Sequence, residues 1–152
     1  MEVFRVSREK YSTTLSGKGA AMRGARWNSA SVEMIYTAAN RSLAMAEVAV
    51  HLNLSTLQED YVMVTISIFD DVTLQKLSNP HLPPGWNAFP DSPVTSKIGD
   101  KFIADGKYCI LQVPSAVTKG DHNLLINPHH NEFSKVKIIA IENFPFDWRI
   151  FK

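Results

Sequence analysis

Cysteine is almost missing from this sequence: Cys109 stands alone among 152 residues. That excludes an internal disulfide and any cysteine-based zinc site, and it leads us to expect a chain kept in a reducing compartment. Long apolar runs are missing too. No stretch approaches the roughly 20 consecutive apolar residues that a membrane span needs. The opening Met-Glu-Val-Phe-Arg-Val has no positive charge leading into an apolar segment. A soluble, cytoplasmic protein is therefore expected, with no membrane association. Nor is there an excess of charge of one sign. Lys and Arg number 16 against 15 Asp and Glu, so the overall field gives no reason to expect direct binding of nucleic acid. The chain lacks a basic recognition helix, a G-x-G-x-x-G fingerprint, a Walker A loop and a G-x-S-x-G elbow. These gaps remove the usual DNA-reader, dehydrogenase, P-loop and α/β-hydrolase readings.

What is present fits one domain over residues 1–152, because this length with 45% hydrophobic residues can bury a sizeable core. Val3 to Val6 reads as a short strand. Ser7 to Ser31 reads as a long, glycine-containing loop. Glu33 to Thr37 reads as a second strand, and 41–52 as a helix rich in Ala, Leu, Met and Val with Asn40 as its cap. Tyr61 to Phe69 alternates as a strand with Val62, Val64, Ile66 and Ile68 on one face. Residues 79–93 hold five of the eight prolines, which predicts an irregular connection. A short helix over 96–104 and strands over 108–113, 122–126 and 136–144 complete the set. Short strands with a few helices, not repeated βαβ units, indicate an α+β domain.

The charge balance is uneven along the chain. From Met1 to Arg41 seven basic residues, Arg5, Arg8, Lys10, Lys18, Arg23, Arg26 and Arg41, face only Glu2, Glu9 and Glu33. A solvated basic surface or a site for an anionic small ligand fits this equally. Glu47 is the most informative single position. It sits in Ser-Leu-Ala-Met-Ala-Glu-Val-Ala-Val-His-Leu, a helix apolar on nearly every side and so expected to be buried. A buried carboxylate needs a cation, hydrogen bonds or a proton, and Arg26 is the natural partner to test. The ordinary alternatives are a structural ion pair or a side chain that reaches the surface. His51, one turn on, is read as structural. Arg26-Trp27-Asn28 offers a guanidinium fork beside a large aromatic surface, and Tyr36 adds a ring able to stack on a heterocycle, although Trp27 and Tyr36 also suit a core. Ser115 lies at a strand end, where ligand contacts and turns are both common. His129 and His130 are adjacent at a turn with no matching carboxylate motif, so no metal is assigned.

Read together, Phe4-Arg5, Gly24-Ala25-Arg26-Trp27-Asn28-Ser29, Ile35-Tyr36-Thr37-Ala38, Ala46-Glu47-Val48, His51-Leu52, Leu82-Pro83-Pro84-Gly85-Trp86, Ile98-Gly99-Asp100, Val113-Pro114-Ser115-Ala116-Val117, Asn123 to Pro128 and Phe144-Pro145-Phe146-Asp147 resemble the RES-domain family over almost the whole chain. That family comprises the toxins of bacterial toxin-antitoxin pairs whose antitoxin is an Xre-type helix-turn-helix protein. Its eponymous arginine, glutamate and serine match Arg26, Glu47 and Ser115, and these are the catalytic residues the resemblance implies. Arg5, Arg26, Tyr36, Trp27 and Asn127 form the implied substrate-binding set. The resemblance further implies a fold like that of ADP-ribosyltransferases and cleavage of NAD+ between nicotinamide and ribose, with NAD+ as substrate and no metal. Water or phosphate as acceptor would make a glycohydrolase or phosphorylase, and a protein acceptor an ADP-ribosyltransferase. A non-catalytic interaction module on the same fold is the reading from another class. An Xre-type antitoxin is the expected partner, and a homodimer within a larger complex is left open. Ala25 stands where a second glycine is frequent, and Phe102 where a tryptophan is common; neither belongs to the polar set.

Overall fold

Val62, Val64, Ile66 and Ile68 occupy alternate positions of one strand, Tyr61–Ile68 (β3), and alternation decides what each face of that strand buries. In the computed structural model, which describes residues 1–151, these four pack with Val3, Ile35, Ile110, Leu124, Ile126 and Val136 in the main core. Tyr61 and Met63 take the other face. They join Phe4, Val6 and Ala38 beneath Leu43 and Ala44 of a helix. A third cluster gathers Trp27, Met34, Phe102, Leu111, Val113 and Leu125.

The remaining strands are β1 (Glu2–Arg8), β2 (Ile35–Ala38), β4 (Leu74–Lys76), β5 (Ile110–Pro114), β6 (His122–Ile126) and β7 (Val136–Asn143). The helices are α1 (Lys18–Arg23), α2 (Arg41–Ala49) and α3 (Pro93–Asp105). The seven strands form one sheet in the order β4-β5-β6-β2-β1-β3-β7. Every neighbouring pair is antiparallel except β4 and β5, so the α+β reading is borne out. One junction differs from the others. β1 pairs with β3 through seven residue couples, from Glu2 opposite Ser67 to Arg8 opposite Tyr61, but with β2 through the single couple Phe4 and Ala38. The sheet is thus two halves that part on either side of this couple, and the residues flanking it, Arg5, Val6, Tyr36 and Thr37, face the resulting gap.

The structure revises several expected elements. The Ser7 to Ser31 loop contains α1, because Ala20-Ala21-Met22 favours a helix. That helix closes with the N–H of Gly24 on the carbonyl of Ala20, and Gly24 has φ +76°, a conformation suited to glycine. β2 begins at Ile35, not Glu33; Glu33 turns away to pair with His129. β4 was not legible, since Leu-Gln-Lys carries no alternation. α3 starts earlier than expected, capped by Ser92 with Pro93 in its first turn, and stops at Gly106 in the left-handed region. α2 keeps its predicted cap, with Asn40 Oδ1 accepting from Leu43 N at 2.8 Å, but it is not buried all round. Only Leu43 and Ala44 are buried; from Met45 onward the helix is half-buried, with Glu47 and Val48 bordering a cavity.

Candidate active site

The gap between the half-sheets opens into a cavity of about 770 Å³, within the range of ligand sites. Its floor is Phe4, Arg5 and Val6 of β1 with Tyr36, Thr37 and Ala38 of β2. One wall is the C-terminal part of α2, including Glu47, and the turn after it at Val50 and His51, together with Ala116, Val117 and Asn123. The opposite wall is Gly24 to Trp27 with Asn87, Phe89 and Asp91 of the proline-rich connection.

Glu47 is half-buried, and its partner is Ser115, not Arg26. The Ser115 hydroxyl oxygen accepts from the N–H groups of Val117 and Thr118, each at 3.0 Å, and its proton goes to Glu47 Oε1 at 2.9 Å. Both lone pairs are occupied by backbone donors, so the hydroxyl has one direction left in which to donate, and the carboxylate is held at the cavity wall. Ser115 itself is 5% exposed and does not line the cavity. Its hydroxyl is thus placed behind the Glu47 carboxylate.

Arg26 is also differently engaged from what sequence suggested. Its Nη1 donates to the carbonyls of Trp86 at 2.9 Å and Ala88 at 3.1 Å, while Nη2 lies 3.1 Å from Asp91 Oδ1. Trp86 packs against Trp27 at 6.0 Å between ring centroids. The arginine thus fastens the proline-rich segment to the cavity edge. Arg5 contrasts with it: among the described residues no hydrogen bond or ion pair engages its guanidinium, and burial lowers its pKa. Arginine nevertheless remains charged at neutral pH. The cavity floor therefore presents a partly desolvated cation without an anion.

Tyr36 lines the floor with its ring, and its hydroxyl belongs to the scaffold. It accepts from Trp27 N at 3.0 Å and donates to Asn28 Oδ1 at 2.6 Å, and burial pushes its pKa upward, keeping it neutral. Asn28 in turn donates to the carbonyls of Ala20, Ser29 and Val32. Asp100 of α3 accepts from the backbone N–H and the hydroxyl of Ser29. Gly99 lets α3 come this close, since a Cβ there would lie 1.6 Å from the Trp27 carbonyl oxygen. Trp27, 3% exposed, is mainly core with an edge on the cavity.

Two expectations move. Asn127 does not line the cavity: it follows the far end of β6 from Asn123, and its Oδ1 accepts from His129 N at 2.9 Å to shape the Asn127-Pro128 turn. His51 is exposed on the cavity wall, not a core histidine. Sequence reasoning missed Phe89 and Asp91, which lie on the irregular segment where no periodicity marks a position. Among the described residues no group of three or more His, Cys, Asp or Glu is arranged to hold a metal ion. No helix there is long and apolar enough to cross a membrane.

Comparison with known proteins agrees with this architecture. A family model described as the RES domain matches residues 2–149. The chain is 34% identical over 140 residues to a protein of Sphingobium named Prs ADP-ribosylating toxin, covering 91% of this chain and 87% of that one. It is 34% identical over 137 residues to a protein of Pseudomonas putida named Toxin Res, covering 90% and 92%. A Toxin Res of Photorhabdus laumondii is 32% identical across 100% of this chain and 98% of its own. Among solved structures, a chain of the MbcT-MbcA toxin-antitoxin complex of M. tuberculosis has the same fold, with a TM-score of 0.73, 19% identity, and coverage of 95% of this chain and 84% of that one.

Proposed function

This chain belongs to the RES domain family, and from that premise we propose that it is the toxin of a toxin-antitoxin pair, an enzyme that breaks NAD+ at the nicotinamide-ribose bond. The observation that carries the proposal is the fixed Glu47 carboxylate at a cavity whose floor holds the unpaired Arg5. NAD+ is a substrate with a pyrophosphate in its middle and a cationic leaving group at one end. Arg5 suits the first, and the carboxylate suits the positive charge that passes to the ribose as the second leaves.

In this mechanism the carbon-nitrogen bond breaks and its electron pair leaves with nicotinamide, which departs neutral. Positive charge passes to the ribose, where Glu47, already oriented by Ser115, stabilises it. An acceptor oxygen then bonds to the ribose carbon: water releases a proton to solvent as it does so, whereas phosphate bonds through an oxygen that is already ionised. Tyr36 offers its ring to the nicotinamide end, and its scaffolded hydroxyl keeps that ring in place. Arg26 contributes by holding the opposite wall, with its charge already matched by Asp91. Water as acceptor makes a glycohydrolase and inorganic phosphate a phosphorylase. The Sphingobium relative's name favours a second reading, transfer of ADP-ribose to a protein.

Restraint follows from the toxin assignment. The similar solved chain comes from a toxin-antitoxin complex, which supports a dedicated antitoxin for this chain. We assign it to the Xre helix-turn-helix type, with a carboxylate-bearing tail able to meet Arg5. The test is nicotinamide release from NAD+ by the purified, antitoxin-free protein, with and without phosphate or candidate protein acceptors. NAD+ surviving all of these conditions alongside a folded protein would overturn the proposal.

A further inference from the structure

The wall opposite Glu47 carries two groups that the cleavage step does not use. Phe89 is 85% exposed yet lines the cavity, an unusual place for a large apolar ring. Two residues on, Asp91 lines the same cavity with one carboxylate oxygen on Arg26 and its side chain 40% exposed. Both sit on a segment anchored by the Arg26 fork and by Trp86 against Trp27, so they are presented from a fixed backbone and not from a free loop.

We infer that the Asn87 to Asp91 segment reads the adenosine half of the substrate, with Phe89 as a stacking surface for the base and Asp91 as acceptor for the ribose hydroxyls. This rests on the NAD+ reading. If the nicotinamide ribose lies at Glu47 and the pyrophosphate at Arg5, the second nucleoside extends to the remaining wall. An aromatic face binds any planar base, and the free oxygen of a carboxylate accepts well from a vicinal diol. A phosphate on the 2′ oxygen removes one of those hydroxyl donors and sets an anion against the free carboxylate oxygen, a local mismatch even though Arg26 balances the carboxylate on its other side. Asp91 and Phe89 are therefore specificity-determining residues, and the enzyme selects NAD+ over its 2′-phosphorylated counterpart.

The experiment measures binding of adenosine 5′-monophosphate, and of the same nucleotide carrying an added 2′-phosphate, by calorimetry, with NAD+ consumption followed on the same preparation. The unmodified chain should prefer the plain nucleotide by at least about tenfold. Phe89→Ala should weaken both by roughly 5- to 100-fold, as loss of base stacking on an aromatic ring does. Asp91→Asn keeps the shape and removes the charge, and it should narrow the preference. Both residues are on an exposed segment, so these variants should fold, and an unchanged thermal midpoint checks that. No nucleotide binding, Phe89→Ala affinities within about twofold of the parent, or an unaltered preference in Asp91→Asn would each overturn the inference. NAD+ consumption without nucleotide binding sinks this inference alone. Nucleotide binding without NAD+ consumption sinks the catalytic proposal and leaves the adenosine site standing.

Discussion

The two walls of the cavity are built on different plans. The Glu47 wall is a capped helix and a tight turn, with the carboxylate fixed by a serine whose other bonds all run to nearby backbone. The Arg26 wall is an irregular stretch drawn in from about 60 positions away by one guanidinium and one pair of indoles. Both walls depend on contacts of long sequence separation, so what differs is the backbone behind them. A helix and a strand end hold Glu47 and Ser115 with little freedom, which suits the atoms that react. An irregular segment held by a few contacts is easier to vary without disturbing those atoms, which suits recognition. The most direct attempt to break this division is Glu47→Gln. On the proposed mechanism it keeps the Ser115 contact and the fold but lowers nicotinamide release by roughly 100- to 1,000-fold, the scale of losing a group aimed at developing charge. Thermal denaturation alongside the assay separates this from unfolding. A variant that unfolds would mark Glu47 as a structural carboxylate instead.

Arg26→Ala attacks the other wall. It removes two charge-assisted hydrogen bonds and an ion pair, worth about 1.5 to 3 kcal/mol each for bonds to a charged group. The segment around 86–91 should then loosen, with faster amide exchange there, and kcat/KM should fall roughly 10- to 100-fold, mainly through KM. Arg26→Lys should recover little, because a point charge cannot span two carbonyls and a carboxylate. A fall in kcat alone, with exchange unaltered, would return Arg26 to direct action on the substrate. Ser115→Ala comes next. Glu47 would keep its charge and lose its aim, so kcat should drop about tenfold with KM little changed, in line with one hydrogen bond to a charged group. Ser115→Thr, which retains the hydroxyl, should recover part of that loss.

How much of this was readable in advance follows the same division. Glu47 stood out because it is the one charged residue within an otherwise apolar helical stretch, and the strand and helix around it follow from local periodicity and a capping asparagine. The Ser115 contact was not readable as a hydrogen bond, since 68 positions separate the pair; only the family resemblance put both in one site. Arg26 was visible as a residue and offered as the partner of Glu47 to test, but the structure engages it elsewhere. Its true partners lie on a proline-rich connection that has no repeating pattern to extrapolate. Phe89 and Asp91 went unnoticed for the same reason. The single-couple junction of β1 and β2, which creates the cavity, is a property of how two strands diverge and leaves no mark on either one's composition.

Asn127 supplies the smallest expected effect and the sharpest control. The family resemblance placed it with the substrate, whereas the structure gives its side chain to a turn beyond the opposite end of β6. If the cavity has only the two walls described, Asn127→Ala should leave kcat and KM within about twofold, while stability falls by about 0.5 to 1.5 kcal/mol for the lost bond to His129 N. Denaturant titration reads the second quantity and the nicotinamide assay the first. The two readouts move in opposite patterns for Asn127 and Glu47. That contrast tests whether distance from the cavity, and not membership of a shared motif, decides which residues act in the reaction. A tenfold loss of activity in Asn127→Ala at unchanged stability would mean that the site extends past the β6 terminus, and a third wall would have to be drawn.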